Sequence, residues 1–190
     1  GVRANGLSIL PWSDAGQHWL TRARYAAERI DGWPDLSELA LLDTADLWLA
    51  PALDGRRTLR DIRADALTDA LKSLLDWQQT AAMAKAAPER ITLAGGRTAA
   101  VHYEVETGPV AEIIIQDAFG LKNHPLAAGA PVLLRLLSPA RRPAQTTRDI
   151  TGFWSGSYHA VRSDLRGRYP KHPWPDDPAN ALPPVRRGRC

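Results

Sequence analysis

Cysteine is almost absent from this chain, which has a single thiol, Cys190, among 190 residues. One cysteine can form neither an internal disulfide nor a cysteine-based zinc site, so the composition argues against a secreted, disulfide-stabilised protein. Long apolar runs are absent too. No stretch approaches the ~20 residues that a membrane helix requires, and no signal-peptide pattern begins the chain. The sequence therefore predicts a protein of the reducing cytoplasm with no membrane partner.

The motifs of common nucleotide-binding, metal and hydrolytic sites are also missing. A P-loop needs the pattern GxxxxGK[ST], but the only glycine pair, Gly95-Gly96, precedes Arg97-Thr98. The five histidines include no i, i+4 pair, the spacing that would place two imidazoles on one helix face. No GxSxG turn is present, and Gly156 lies inside a predicted helix. We expect no catalytic residue, no metal and no cofactor within this chain.

The charge is distributed unevenly along the sequence. Residues 1–120 carry 12 Lys and Arg against 17 Asp and Glu, whereas residues 121–190 carry 12 against 4. A basic surplus confined to one part of a chain favours a polyanionic partner such as nucleic acid. Two alternatives remain open: the basic part serves only solubility, or it docks on the acidic part of the same molecule.

Residues 1–88 are predicted to form a helical subdomain. Ser13 or Asp14 can cap a helix whose apolar residues follow the 3.6-residue period, and Trp12 can pack back on its first turn. The Gly32-Trp33-Pro34 run ends that helix. Several shorter helices with brief connections follow, and Pro88 closes the region.

Residues 89–190 are predicted to form a second domain that makes the whole chain α+β. Gly95-Gly96 indicates a hairpin, residues 131–137 indicate a strand, and residues 110–115 are ambiguous between strand and helix. The expected sheet is small and mostly antiparallel. A long helix over about 149–166 follows, with Phe153, Trp154 and Tyr158 on its core face and Gly167 at its end.

The last segment, about 168–190, is rich in proline and is predicted to form an extended basic tail whose final residues, 186–189, are flexible. Guanidinium groups bind phosphate through a planar fork, and rings between them can stack on unpaired bases. The candidate nucleic-acid-binding residues in and before this tail are Arg141, Arg142, Arg148, Arg162, Arg166, Arg168, Tyr169, Lys171, His172 and Trp174. The alternative is a rigid strap whose rings cover the domain and whose arginines pair with the acidic helices.

Most of the chain resembles a known family. Residues 136–178 read LLSPARRPAQTTRDITGFWSGSYHAVRSDLRGRYPKHPWPDDP, and shorter matches are LPWSDAG (10–16), WPDLSE (33–38), WLAPAL (48–53) and AFGL (118–121). These strings resemble the C-terminal region of the bacterial DEAH-box ATP-dependent RNA helicases of the HrpB family. They are long and rich in unusual residues, so chance is a poor explanation.

The resemblance implies a role that the residues alone do not indicate. In that family two RecA-like motor domains couple ATP hydrolysis to movement on nucleic acid, so ATP and Mg²⁺ would bind in motor domains before Gly1. No catalytic residue carries over to this sequence. The chain is predicted to be a non-catalytic accessory region whose partners are RNA and the motor domains of the same parent. The alternative is a protein-interaction or bracing module without nucleic-acid contact.

Overall fold

The computed structural model describes residues 2–56 and 58–184, so the predicted flexible residues 186–189 and Cys190 lie outside the described part. The chain forms two compact units. The first comprises Gly1–Ala87 with Tyr103–Val105, and the second comprises Pro88–His102 with Glu106–Cys190. Within the described ranges no helix has both the length and the apolar character needed to cross a bilayer.

The first unit is built from short α-helices. They are α1 Val2–Asn5, α2 Asp14–Ala27, α3 Glu38–Asp43, α4 Ala45–Trp48, α5 Ala50–Leu53, α6 Ala64–Lys72 and α7 Trp77–Ala86, with 3-10 helices at Leu7–Ile9 and Leu59–Asp61. These short helices are stable because they bury apolar faces against each other, since isolated helices of this length are marginal in water.

Helix α2 begins where the sequence predicted. The Ser13 hydroxyl accepts a hydrogen bond from the Gly16 N–H at 3.0 Å, which confirms Ser13 as the N-cap. The helix ends at Ala27, before the predicted stop at Gly32. Trp12, just before the cap, donates its indole N–H to the Leu7 carbonyl at 2.8 Å. Its ring stacks with Trp48 at a centroid distance of 6.4 Å.

The strands are short and fall after α7. They are β1 Arg90–Thr92, β2 Thr98–Ala100, β3 His102–Glu104, β4 Gly108–Ile114, β5 Leu126–Ala127, β6 Ala130–Pro131, β7 Leu133–Leu137 and β8 Pro143–Thr147. β1 and β2 pair antiparallel across Gly95 and Gly96, whose φ angles are 69° and 73°. The hairpin prediction is confirmed, because only glycine adopts such angles without steric cost.

The sheet of the second unit is mixed. β7 pairs antiparallel with β8, but β4 and β7 pair in parallel, with Val110 opposite Leu133 and Ile114 opposite Leu137. The mostly antiparallel sheet expected from the sequence therefore contains a parallel pair. Both strands are buried along most of their length, as is typical of parallel strands covered on two faces. The ambiguous residues 110–115 continue β4 and then enter the 3-10 helix Ile115–Ala118.

The predicted long helix is two helices. α8 spans Ile150–Ser155 and α9 spans Tyr158–Arg168, with a break at Gly156, whose φ and ψ are −113° and −102°. Gly156 leaves the helical region of φ and ψ, which interrupts the helix. Gly167 lies inside α9 instead of ending it. Asp149 caps α8 by accepting the Gly152 N–H at 3.0 Å, and this bond lowers the pKa of the Asp149 carboxyl.

An aromatic cluster forms the core beneath α8 and α9. The ring centroids of Phe153 and Trp154 are 4.9 Å apart, those of Trp154 and Tyr158 are 5.3 Å apart, and Phe119 meets Tyr158 edge-on at 6.3 Å. The Trp154 indole donates to the Leu121 carbonyl at 2.9 Å. All four rings are buried. This confirms that the three aromatic residues predicted on the helix belong to the core.

Candidate nucleic-acid interface

The segment after α9, residues 169–184, is called the strap. It reverses direction at the end of the helix, where the Tyr169 N–H donates to the Leu165 carbonyl at 2.8 Å and the His172 N–H donates to the Tyr169 carbonyl at 3.2 Å. The Trp174 indole then donates to the same Tyr169 carbonyl at 3.0 Å. Trp174 is buried, so the turn is anchored by an aromatic ring.

The next part of the strap runs back along α9. Arg162 Nε donates to the Trp174 carbonyl at 2.8 Å, and the Tyr158 hydroxyl donates to the Pro175 carbonyl at 2.9 Å. Because Arg162 and Tyr158 lie one helical turn apart, successive strap residues move toward the start of α9. Burial raises the pKa of Tyr158 to about 12, so the hydroxyl keeps the proton that this bond requires.

The end of the strap is fixed to other parts of the second unit. The Gly120 N–H donates to the Pro178 carbonyl at 2.9 Å, and Arg97 donates to the Pro184 carbonyl. Gly120 has a φ of +85°, and a Cβ at this position would lie 3.0 Å from the Ala181 carbonyl oxygen. The strap therefore lies directly on the Gly120 backbone. Residues 169–184 contain no helix or strand.

A cleft of about 720 Å³ lies between part of α9 and the turn of the strap, and it is called the α9 cleft. Its lining residues are His159, Arg162, Ser163, Arg166 and Gly167 of α9, and Pro170, His172 and Trp174 of the strap. His159, Ser163 and Arg166 are spaced i, i+4 and i+7, so they share one helix face. The lining contains two arginines, two histidines and no carboxylate.

The arginines of α9 differ in how strongly they are engaged. The half-buried Arg162 pairs with Asp176 in addition to its bond to the strap, and the exposed Arg168 pairs with Asp164 at 3.2 Å. Arg166 is exposed and has no hydrogen-bond or ion-pair partner among the described residues. Its five N–H donors are therefore available to an anionic ligand.

Arg141 and Arg142 lie outside this cleft, in the turn between β7 and β8. Both are exposed, and Arg141 has a φ of 59°. The turn is closed by the Ser138 N–H, which donates to the Arg142 carbonyl at 2.8 Å. Arg141 also lines a smaller cavity of about 220 Å³ together with Glu112 and Asp117. That cavity contains both signs of charge, which makes it a poor site for a polyanion.

Arg148 forms its hydrogen bonds with backbone carbonyls. Its guanidinium donates to the Pro131 carbonyl at 2.9 Å and to the Thr107 carbonyl at 2.6 Å. Arg148 therefore links the end of β6 to the turn before β4 and has fewer donors left for a phosphate.

The four remaining candidates lie at the turn of the strap. Lys171 and His172 are exposed, and the His172 ring meets the half-buried Tyr169 ring edge-on at 6.3 Å. Trp174 is only 8% exposed, so its indole forms a wall of the α9 cleft and has little surface free to stack on a base. No group of three or more His, Cys, Asp or Glu residues within the described ranges is placed to hold a metal ion.

Residues 48–178 match the family model described as ATP-dependent helicase C-terminal. The chain belongs to this family. A relative of the helicase C-terminal family, the "ATP-dependent RNA helicase HrpB" of Escherichia coli (strain K12), is 37% identical over 187 residues. The alignment covers 96% of this chain but 23% of that protein, so the chain spans about a quarter of the length of the relative.

Solved structures agree with this assignment. The "crystal structure of E. coli DExH-box NTPase HrpB" superposes with a TM-score of 0.86 at 37% identity, over 98% of this chain and 24% of that one. The "crystal structure of Escherichia coli DEAH/RHA helicase HrpB" gives a TM-score of 0.72 at 34% identity, over 92% and 22%. The matched family region ends at residue 178 and includes every residue that lines the α9 cleft.

Sequence reasoning missed two residues of the cleft in this helicase C-terminal family member. His159 and Ser163 lie on the same face of α9 as Arg166, and neither was among the candidates. His159 lies three residues before Arg162, and Ser163 lies three residues before Arg166. This spacing is the signal that could have identified them. The turn of the strap, which places His172 and Trp174 opposite them, depends on long-range contacts that no local pattern encodes.

Proposed function

We propose that this chain is the non-catalytic accessory C-terminal region of an ATP-dependent RNA helicase, and that it contacts nucleic acid through the α9 cleft. The observation that carries the proposal is the composition of the cleft, which presents an unpaired arginine and two histidines and no carboxylate. Family membership supplies the helicase context.

The physical basis of the contact is electrostatic. Each phosphate that a cationic side chain neutralises releases counterions, so binding becomes weaker as salt increases. The basic surplus after residue 120 increases the local concentration of a polyanion near the cleft. A surface of this kind binds without sequence preference, as expected for a region that guides a strand past a motor.

The proposal assigns ATP hydrolysis to other parts of the parent protein. ATP and Mg²⁺ would be bound by motor domains outside this chain, and those domains would be its second partner. The coverage of only 23% of the related helicase supports this division. A cytoplasmic location stays a prediction based on the single cysteine.

The test is the binding of the 190-residue chain to a fluorescein-labelled single-stranded RNA, followed by fluorescence anisotropy at low and moderate salt. If about three phosphates are contacted, the affinity should fall about 20-fold when the salt is increased fourfold. A combined Arg166→Glu and Lys171→Glu variant should bind at least tenfold more weakly at low salt. An absence of binding by the unmodified chain at low salt would refute the nucleic-acid contact.

A bracing or protein-interaction module is the second candidate function. Leu39, Leu47 and Trp77 of the first unit are 70%, 76% and 77% exposed, so three large apolar side chains are accessible to a partner. The four tryptophans Trp12, Trp19, Trp33 and Trp48 do not supply such a surface, because Trp48 is buried and the other three are half-buried. This candidate would be favoured if Leu39→Ser with Leu47→Ser lowered the ATPase activity of the parent helicase while RNA binding by the chain was unchanged.

A further inference from the structure

We propose that the α9 cleft receives one backbone phosphate of an unpaired RNA strand, and that Arg166, His159 and Ser163 are the residues that bind it. This inference rests on the proposed function and deepens it, because it names the chemical group and the residues that contact it.

The three side chains line the same cleft, where one phosphate could contact all of them. They share one face of α9, and none of them has a side-chain hydrogen-bond partner among the described residues. A guanidinium, an imidazole and a hydroxyl can all donate to phosphate oxygens, and the guanidinium adds charge to its hydrogen bonds. His172 faces them from the strap and supplies a further donor.

Arg162 is not included among the ligands, although it also lines the cleft. Its Nε donates to the Trp174 carbonyl, and its guanidinium pairs with Asp176. A phosphate would have to compete with both partners. Arg166, one turn further along the helix, has no such competitor.

The shape of the cleft favours an unpaired strand. A volume of about 720 Å³ is in the range of pockets that accept small molecules, which is enough for a single nucleotide. A nucleotide in a duplex is held in its stack, whereas one in a single strand can rotate outward and enter a pocket. Trp174 is largely covered, so contacts to the phosphate dominate over contacts to the base.

The experiment compares two variants that each remove one positive charge. Arg166→Gln changes the proposed ligand, and Lys122→Gln changes an exposed lysine of the same unit that is remote in sequence from α9. Both are titrated with fluorescein-labelled ten-nucleotide oligouridylate and oligoadenylate at several salt concentrations. Thermal unfolding checks that both variants are folded.

We expect Arg166→Gln to weaken binding about fivefold on both oligonucleotides, because the phosphate is common to them, and to reduce the magnitude of the salt slope by about 0.7. Lys122→Gln should weaken binding less than twofold. His159→Ala with Ser163→Ala should weaken it about threefold without a change in salt slope of the same size.

The outcomes separate the two proposals. If the unmodified chain binds but Arg166→Gln and Lys122→Gln have equal effects, binding is diffuse, and the cleft inference is wrong while the proposed function stands. A loss that occurs on oligoadenylate alone would indicate a base contact and would also contradict the phosphate assignment. If the unmodified chain does not bind either oligonucleotide, both proposals fail.

Discussion

Two arginine-bearing regions of the second unit, the α9 cleft and the β7–β8 turn, differ in what surrounds the charge. In the turn, Arg141 and Arg142 are exposed, and Arg141 lines a cavity that also contains Glu112 and Asp117. In the cleft, Arg166 lies among histidines and a hydroxyl, opposite a strap that is anchored by Trp174. The sequence ranked both regions equally, since it records only the density of charge. A basic segment therefore becomes a candidate site where another segment folds over it and the two segments together line a cleft.

The second lesson concerns the arginines that are already engaged. Arg97, Arg148 and Arg162 each donate to backbone carbonyls within the second unit. The ion pairs of Arg162 and Arg168 are also local, to Asp176 and Asp164. Net charge therefore overstates the number of cations available to a polyanion, and Arg166 is the clearest remaining one.

The difference between the α9 cleft and the β7–β8 turn depends most strongly on the anchor of the strap, Trp174. Trp174→Ala should lower the free energy of unfolding by about 3 kcal/mol, because a buried indole leaves a cavity and its hydrogen bond is lost. Without this wall the α9 cleft should lose its advantage over the β7–β8 turn in RNA binding. Urea denaturation measures the stability. Trp77→Ala is the control, since Trp77 is 77% exposed, and an equal loss in both variants would contradict the anchoring role.

Gly120→Ala should have the next largest effect on stability, about 2 kcal/mol. The substitution places a non-glycine residue at an unfavourable positive φ. Its Cβ would also lie 2.9 Å from the Ala94 Cβ and 3.0 Å from the carbonyl oxygen of Ala181 in the strap. Gly129→Ala is a matched control, because Gly129 has a φ of +84° with no atom within 4 Å. The control isolates backbone strain and should cost about 1 kcal/mol. Equal losses would mean that the strap does not rest on Gly120.

Tyr158→Phe should cost about 1 kcal/mol, because it removes the hydrogen bond to the Pro175 carbonyl. The effect depends on pH. The pKa of Tyr158 is raised in the folded state to about 12, so its contribution is complete below the ordinary tyrosine pKa of about 10 and is lost as pH rises toward 12. Unfolding at about pH 9 and about pH 11 measures it, with Tyr169→Phe as the control. The difference between Tyr158→Phe and the unmodified chain should shrink at the higher pH.

The smallest expected effect concerns RNA affinity, and it tests whether an arginine that is already paired is less available to RNA than an unpaired one. Asp176→Asn removes the partner of Arg162 and should increase RNA affinity about twofold more than Asp177→Asn, which makes the same charge change. Asp177 instead accepts a hydrogen bond from the Asn180 side-chain amide at 2.7 Å. Anisotropy titrations at low salt measure both variants. Identical affinities would show that the pairing of Arg162 does not limit its contact with RNA.

Local patterns were sufficient for several elements. Ser13 predicted the start of α2, Gly95-Gly96 predicted the hairpin, and the spacing of Phe153 and Tyr158 predicted a shared core. In each case the residues that cause the structure are near neighbours in sequence, or repeat with the period of the helix. The same applies to the arginines, whose identity was predictable although their partners were not.

The elements that were missed depend on distant parts of the chain. Gly156 looked like a tolerated glycine inside a periodic run, but its φ of −113° and ψ of −102° interrupt the helix between Phe153 and Tyr158. The parallel pairing of β4 and β7 joins strands separated by a crossover, and hydrophobic content alone does not distinguish it from an antiparallel pair. The candidate cleft was missed for the same reason, since one of its walls is a segment with neither helix nor strand.

The crossover between β4 and β7 also has a consequence for the order of folding. Parallel pairing must close a long loop before its contacts compensate the lost chain entropy, so this step is slow. Gly120, which receives the strap, lies within that loop. We therefore expect the strap to complete its docking on Gly120 after the sheet closes during refolding. In native-state hydrogen exchange the amides of the strap should open before those of β7, so the cleft can come apart and reassemble while the sheet remains intact.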